Sequence, residues 1–421
     1  MKVIPFDAFG SAQAVSYCAN VADPAPLASG ILLPETAWHA IFKTARDVSL
    51  PTTRSATSLH HAFRERVQCL FANGVRPPVS PHRMSVRQPF IGIVQGDACG
   101  IGPELLPKLL RGLEDNERNR TLVISDQRVM AAGCAVSGLT ISCKTLNDPA
   151  GIDPHCGQIQ LLDVPCLDPA SIVPGTVSAD AGRAVLQTFG LAIDLAAAGT
   201  IDGICFMPFN KAAMHLAGIG VEDELTFAKN RLGVTSRASE FNVIDGMWNA
   251  RVTSHVPLKD VAGRLTIDLI VEAIVLADQT LKKAGYSSPR IAVAALNPHA
   301  GDGGTIGKEE IDTIAPAVEK ARLQEIEVHG PFPSDTLYLK VRDGQYDCAL
   351  SMYHDQGQIA IKLLGFDQGV SVLGGLPVPI TTPAHGTAFD IVGTNTANVR
   401  AALNAFRMVA AMAQGRDHRH A

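Results

Sequence analysis

The sequence lacks three features of secreted and membrane-bound proteins: paired cysteines, a leader segment and long apolar runs. Its nine cysteines lie singly and never form a CxxC pair, so their spacing predicts neither a disulfide framework nor a thiolate zinc site. No apolar run reaches the roughly 18 residues that a membrane-spanning helix needs. The N-terminus has no basic region followed by an apolar core, and therefore predicts no secretory signal. We expect a reduced, cytoplasmic protein.

An excess of positive charge is also missing. The chain of 421 residues has 36 Lys and Arg against 41 Asp and Glu, a formal net charge of -5. This balance predicts no nucleic-acid partner and no membrane partner. The GxGxxG spacing of a dinucleotide site, the P-loop, the nucleophile elbow and the HExxH zinc motif are all absent. Any catalytic residues are therefore expected in loops that carry none of these motifs.

The first 83 residues differ in composition from the rest of the chain. They are rich in Ala, Ser and Pro and have weak periodicity, whereas Phe90–Val94 has the pattern of a buried strand. That strand leads into a glycine-rich turn and a helix with Pro103 in its first turn. We predict that residues 1–83 are a poorly defined extension, and that a chain beginning at Met84 folds and keeps its function.

Strands and helices alternate from Phe90 onwards, which predicts an α/β fold with a largely parallel sheet. The predicted strands after the first are Thr121–Ser125, Gln158–Val164, Asp202–Pro208, Arg251–His255, Arg290–Leu296 and Tyr346–Met352. The clearest predicted helices are Ala179–Gly199, Lys211–Ala217, Thr266–Ala284 and Ala397–Ala413.

Three histidines occupy matching places in this pattern. His255 ends a predicted strand, and His299 and His354 each follow one. Loops beyond the carboxyl ends of parallel strands form ligand crevices, and three imidazoles with an open position suit a catalytic divalent metal such as zinc, magnesium, manganese or cobalt. Asp355 could orient the ring of His354 through a hydrogen bond without binding the metal itself. From spacing alone, three separate hydrogen-bonded structural histidines remain the alternative.

Two lysines stand at similar positions. Lys211 follows a predicted strand and begins a helix, where it could pair with a substrate carboxylate or move a proton. Lys362 lies eight residues after His354 on the helix that leaves the histidine loop. A solvated surface charge is the alternative for each lysine. His385 lies in a loop of small residues, where a turn or capping role is equally open.

Five motifs in a fixed order resemble those of the 4-hydroxythreonine-4-phosphate dehydrogenase (PdxA) family. They are GDACGIGPE at 96–104, LNPHAGDGG at 296–304, GPFPSDT at 330–336, MYHDQG at 352–357 and HGTAFD at 385–390. The resemblance runs from about Ile91 to the C-terminus. It implies an isocitrate/isopropylmalate dehydrogenase-like fold of two α/β domains with a cleft between them. It also implies a homodimer that oxidises and decarboxylates a β-hydroxy acid with NAD.

The resemblance also assigns roles to particular residues. It implies that His255, His299 and His354 bind one divalent metal at a site shared between subunits, and that the nucleotide is held by His385, Gly386, Thr387 and Asp390. We expect Lys211 to position charge or relay a proton, and Asp355 to act as a base or behind a metal ligand. The expected domains are residues 84–205 with 366–421 on the nucleotide side, and residues 206–365 on the metal and dimer side.

The positions that resemble the family's substrate site agree less well. Lys362 matches, but Glu224 and Leu225 stand where the biosynthetic enzymes have a His-Thr pair, Ser371 replaces an Asn and Ile380 replaces an Arg. An aliphatic side chain cannot replace the bidentate anion contact of arginine. We therefore expect a non-phosphorylated hydroxy or cis-diol carboxylate as substrate. The alternatives are a genuine 4-hydroxythreonine-4-phosphate dehydrogenase of pyridoxal phosphate synthesis, and a metal-free acyltransferase similar to phosphate acetyltransferase.

Overall fold

The computed structural model describes residues 88–365 and 367–414, so the extension predicted over residues 1–83 lies outside the described part. The described residues belong to one compact unit. Among the described helices, none combines the length and apolar character needed to cross a membrane.

Within the described ranges, twelve strands form one sheet in the order β3-β4-β2-β1-β5-β12-β11-β6-β7-β10-β8-β9. Their bounds are β1 Ile91–Val94, β2 Thr121–Ser125, β3 Lys144–Leu146, β4 Gln160–Asp163, β5 Gly203–Phe206, β6 Ser239–Ile244, β7 Met247–Arg251, β8 Ile291–Ala294, β9 Val328–Phe332, β10 Cys348–Ser351, β11 Val370–Gly374 and β12 Ile380–Pro383.

Helices follow most of these strands, as the alternating pattern predicted. They are α1 Gly102–Gly112, α2 Asp115–Arg118, α3 Gln127–Ser137, α4 Ala179–Ala197, α5 Lys211–Leu216, α6 Glu224–Arg231, α7 Leu258–Arg264, α8 Ile267–Lys283, α9 Ala315–Arg322, α10 Ser334–Arg342, α11 His354–Gly365 and α12 Arg400–Gln414. Polar side chains cap several N-termini; Ser178 accepts from the amide of Ala181 and Asn210 from that of Ala213. The α/β fold class is confirmed.

The sheet consists of two parallel parts joined by an antiparallel middle. β1 pairs in parallel with β2 on one side and β5 on the other, so the strand order reverses at β1. β10 lies between β7 and β8 and is parallel to both. Between these parts, β11 runs antiparallel to β12 and β6, and β6 runs antiparallel to β7. The division into two domains at 205/206 and 365/366 stays a prediction.

The central strands are buried on both faces, as parallel strands covered by helices should be. All residues of β1, β2, β5, β8 and β10 are buried. Phe189 of α4 packs against Phe206 and Phe209 with ring centroids 5.2 Å away in each case. This packing holds the end of β5, and with it the start of α5, in one place.

The bounds predicted for the strand before His255 are wrong. β7 ends at Arg251, four residues earlier than predicted, and the amides of Val252 and Thr253 still bond to the carbonyls of Ser351 and Met352. His255 then takes a left-handed conformation with φ 51°, which no strand accommodates. The histidine therefore lies in the loop beyond the strand.

Candidate functional site

The three predicted histidines lie beyond the carboxyl ends of β7, β8 and β10. Because these strands are adjacent and parallel, their carboxyl ends meet at one edge of the sheet. His255 follows β7, His299 follows β8, and His354 begins α11 after β10. Gln356 ties two of the loops together, since its amide nitrogen donates to the carbonyl of Ala295 at 2.7 Å.

The rings of His255 and His354 lie side by side with their centroids 5.8 Å apart and their planes inclined by 43°. Each ring has a carboxylate partner: Nδ1 of His255 lies 2.9 Å from Glu222 Oε1, and Nδ1 of His354 lies 2.6 Å from Asp355 Oδ1. A carboxylate on Nδ1 fixes the tautomer and leaves the Nε2 lone pair for a metal. Both rings thus have the environment of metal-ligating histidines.

His299 does not join this pair within one chain. It is exposed, and no ring contact connects it with the other two histidines in the described residues. The potential ligand atoms that do come within 4.8 Å of one another, among the residues the structure describes, belong to Glu222, Asp223 and His255. The three-histidine site therefore stays a prediction, and Glu222 is a member of the cluster that sequence reasoning missed.

The loop that carries His299 has an unusual backbone. Residues 299–303 all have positive φ, including the non-glycine residues His299, Ala300 and Asp302. Such conformations persist only where the surroundings enforce them, and they gather at functional sites. Glu310, 3% exposed, supplies the anchor, because its Oε1 accepts hydrogen bonds from the amides of Leu296 and Asn297 at 2.8 and 2.7 Å.

Replacing Glu310 with alanine should release this loop. The two buried amides would lose their acceptor, which costs about 1–3 kcal/mol each when nothing replaces it. We expect a lower free energy of unfolding in urea and a loss of activity. Glu309→Gln should change both far less, because a glutamine oxygen can still accept the hydrogen bond that the side-chain amide of Asn297 donates to Glu309 at 2.7 Å. Equal effects in the two variants would show that Glu310 is not the anchor.

Lys211 and Glu224 approach each other near the middle of the sheet. Lys211 is the first residue of α5, and its Nζ lies 3.9 Å from Glu224 Oε2 at the start of α6. Burial raises the pKa of the Glu224 carboxyl above its ordinary value, although the nearby charge of Lys211 lowers it. Leu225 instead packs against an apolar cluster. A lysine beside a desolvated carboxyl is a reasonable arrangement for moving a proton.

The two remaining substrate candidates lie on different elements. Lys362 is exposed on α11, the helix that begins at His354. Ser371 is buried in β11 and donates a hydrogen bond to Glu240 Oε1 at 2.5 Å. Glu240 also bonds to Arg251, at the end of β7. Sequence reasoning missed both residues of this ion pair, because only the pairing of β6 with β7 brings them together.

The predicted nucleotide loop lies after β12, against the glycine-rich turn that follows β1. The amide of Ile101 donates to the carbonyl of Thr387, and a Cβ at Gly100 would lie 2.8 Å from Cβ of Thr387. Thr387 is buried, Gly386 and Asp390 are exposed, and burial lowers the pKa of His385. The strand order reverses at β1, which is where nucleotides bind in open α/β sheets. The nucleotide-binding role of this loop stays a prediction.

Asp97 in this turn is a buried carboxyl, and burial raises its pKa to about 6. Its native pKa lies above the ordinary value of 3.8, so the stability it contributes is present at low pH and is lost as pH rises through 6. At about 1.4 kcal/mol per pKa unit, we expect Asp97→Asn to be more stable than the parent by about 2–3 kcal/mol at pH 7 and equal to it near pH 4. Urea unfolding at both pH values tests this expectation. A free energy of unfolding that changes with pH in the variant as it does in the parent would contradict it.

Comparison with known proteins adds sequence and structural relatives. A profile of the family described as "Pyridoxal phosphate biosynthetic protein PdxA" matches residues 117–409. A Rhizobium meliloti (strain 1021) protein, provisionally named 4-hydroxythreonine-4-phosphate dehydrogenase 2, is 45% identical over 78% of this chain and 94% of its own length. A D-threonate 4-phosphate dehydrogenase of Pectobacterium atrosepticum is 37% identical over 73% of this chain and 94% of its own. The crystal structure of 4-hydroxythreonine-4-phosphate dehydrogenase from Klebsiella pneumoniae superposes with a TM-score of 0.69 and 34% identity, covering 78% of this chain and 99% of that one.

These relatives correct the expected substrate. All three are named for phosphorylated compounds, whereas the departures at Glu224, Leu225, Ser371 and Ile380 predicted a non-phosphorylated carboxylate. The prediction is not supported, and the alternative of a 4-hydroxythreonine-4-phosphate dehydrogenase is favoured.

Proposed function

The chain belongs to the PdxA family, and from this membership we propose that it is a dehydrogenase of a phosphorylated hydroxy acid, with NAD as the hydride acceptor. The substrates named for its relatives, 4-hydroxythreonine 4-phosphate and D-threonate 4-phosphate, define the class. The observation that carries the proposal is the neighbouring pair of His255 and His354, each held by a carboxylate on Nδ1. Oxidation of the hydroxyl followed by decarboxylation belongs to the same proposal.

The donor set fits a divalent metal. His255 and His354 keep Nε2 free, and we propose that His299 supplies a third imidazole from a neighbouring subunit. Three imidazoles suit zinc, and they also suit cobalt or manganese. When bound, such an ion lowers the pKa of a substrate hydroxyl and stabilises negative charge on its oxygen. Glu222 and Asp355 orient the two rings.

The protein groups that handle the proton are proposed to be Lys211 and Glu224. Lys211 is half-exposed, whereas its partner is mostly buried. In its neutral form the lysine can take the proton that leaves the substrate hydroxyl, and as the ammonium it can return that same proton to the product carbon. Glu224 keeps the lysine in position and partly balances its charge. Lys362, exposed on the helix of His354, offers a further cation to the substrate's anionic groups.

A homodimer completes the proposed site. The helix α11 carries His354 and Lys362, and it also exposes Ile359 (62%) and Leu363 (83%), one helical turn apart on the same side. Large apolar side chains at adjacent exposed positions are typical of a protein interface. Pairing of two chains across this helix would bring exposed histidines of one chain to the other, in agreement with the proposed shared site. Cytoplasmic location is part of the same proposal.

The proposed nucleotide site favours NAD over NADP. The stretch Val392–Thr396 has no cation for a 2′-phosphate, and the lysine that does reach it is fully engaged. Nζ of Lys108 donates to Glu104 Oε1 at 2.7 Å and to the carbonyls of Asn395 and Ala397 at 3.1 Å each, which uses all three of its donors. We expect kcat/KM to be at least about tenfold higher with NAD, a preference of about 1.4 kcal/mol; a higher value with NADP would contradict the assignment.

The proposed activity is tested with four substrates and one absorbance measurement. Purified protein with added divalent metal and NAD is given 4-hydroxythreonine 4-phosphate, D-threonate 4-phosphate and the two unphosphorylated counterparts, and NADH is followed. We expect at least one phosphorylated acid to be oxidised with a kcat/KM about a hundredfold above its unphosphorylated form, as two charge-assisted hydrogen bonds would give. Equal rates would overturn the substrate class, and acyl transfer from an acyl phosphate without metal or NAD would favour the acyltransferase alternative.

A further inference from the structure

A buried arginine lies at the end of β7, beside the positions assigned to substrate. The side chain of Arg251 is 2% exposed, and its Nη2 donates to Glu240 Oε2 at 2.9 Å. Nε and Nη1 of this guanidinium meet no hydrogen-bond acceptor among the described residues. β6 and β7 pair with Asn242 opposite Asn249, so the same register sets Glu240 opposite Arg251. A buried cation requires a countercharge, and the strand pairing supplies this one.

Glu240 differs from Arg251 because one side of its carboxylate is exposed to solvent. Its side chain is 34% exposed, and three donors from the protein hold it: Arg251 on Oε2, and Ser371 and Asn242 on Oε1 at 2.5 and 3.3 Å. An ionised carboxylate has about four acceptor positions. The carboxylate is therefore fixed in direction and still able to accept a hydrogen bond from a group outside the sheet.

The surroundings of Glu240 are those of the proposed substrate site. Ser371 stands where the family resemblance places a substrate residue, and Glu240 lies close enough to Glu224 to repel its charge. On the other side, Gln358 of α11 donates to Asn242 at 2.6 Å. Gln358 lies midway between His354 and Lys362, so the network joins the polar sheet face to the helix that carries both.

We propose that Glu240 determines the substrate specificity of this chain by accepting a hydrogen bond from a substrate ammonium group, and that Arg251 is its positioning residue. The inference rests on the proposed function and chooses between the two substrates that it names. Of the two named compounds, 4-hydroxythreonine 4-phosphate has an ammonium next to its carboxylate, where D-threonate 4-phosphate has a hydroxyl. A carboxylate binds an ammonium about twice as strongly as a neutral donor, so this site favours the amino acid.

The test measures kcat/KM for both compounds in four proteins. The parent should prefer the amino acid by at least about tenfold. The double variant Glu240→Gln/Arg251→Met removes both charges and leaves no buried guanidinium without a partner; its preference should fall at least about tenfold, through a higher KM for the amino acid. Arg251→Lys keeps the countercharge and should retain the preference. Glu319→Gln, an exposed position paired with Arg322, is the control and should match the parent.

Each result has a definite meaning. An unchanged preference in the double variant, with circular dichroism showing a folded protein, overturns the inference and leaves the dehydrogenase proposal standing. A parent that prefers D-threonate 4-phosphate, or that does not distinguish the two compounds, also overturns the inference and leaves the dehydrogenase proposal standing. This outcome is measured on the parent alone and does not depend on the folding of any variant. A parent that oxidises neither compound overturns the proposed function and this inference together.

Discussion

Replacing His255 or His354 with alanine should remove most of the bound divalent metal and lower kcat/KM by about a thousandfold or more. A metal that stabilises developing charge contributes several kcal/mol to transition-state binding, and each 1.4 kcal/mol is a factor of ten in rate. Both rings have their Nδ1 bonded to a carboxylate, so their remaining nitrogen is the one available to the ion. His299→Ala should have the same effect if that residue is the third ligand.

The measurements are metal content by mass spectrometry and turnover by NADH absorbance. Glu222→Gln and Asp355→Asn should give intermediate losses of about 10–100-fold, because they orient the ligands without binding the metal themselves. His155→Ala is the matched control, since His155 is an exposed turn residue that bonds through its backbone amide to Asp153, and its ring makes no hydrogen bond within the part of the chain that the structure describes. Variants of His255 and His354 that keep stoichiometric metal would show that the site lies elsewhere.

Replacing Lys211 with methionine should lower kcat by about 10²–10⁴-fold while changing KM much less. A side chain that transfers a proton in the transition state contributes a factor of this size. A lysine that only binds substrate would instead raise KM with kcat unchanged. The variant should remain folded, because Lys211 is half-exposed and its ion pair with Glu224 is long at 3.9 Å.

Two further variants test whether Lys211 transfers a proton or contributes only its positive charge. Lys259→Met, at an exposed position on α7, should behave as the parent. Lys211→Arg keeps the positive charge but cannot release its proton at neutral pH, so it should remain nearly as slow as the methionine variant. Full activity in Lys211→Arg would show that the lysine contributes only its positive charge, and that another group transfers the proton.

Local pattern determined much of the fold and part of the site. The apolar runs at Phe90–Val94 and Thr121–Ser125 predicted strands, and the structure has β1 and β2 there. Lys211 was expected to follow a strand and begin a helix, and α5 begins at that residue. These predictions succeed because a buried parallel strand is apolar along its whole length, and because the loop after it starts with residues that cap or open the next helix.

The middle of the sheet could not be predicted in the same way. β6 has the sequence SEFNVI, in which Glu240 and Asn242 interrupt the apolar residues, so its local pattern does not indicate a buried strand. The polar residues are tolerated there because they bond to one another across strands: Asn242 to Ser371, and Glu240 to Arg251. Such compensation exists only after the strands pair.

The sequence by itself determined the α/β class, the loops that carry the histidines and lysines, and the resemblance to one family. The tertiary structure decided which residues meet: His255 with Glu222, Lys211 with Glu224, and Arg251 with Glu240. The physical reason is that hydrogen bonds and ion pairs depend on distance in space, which sheet order and register set, whereas sequence patterns record only the preferences of neighbouring residues.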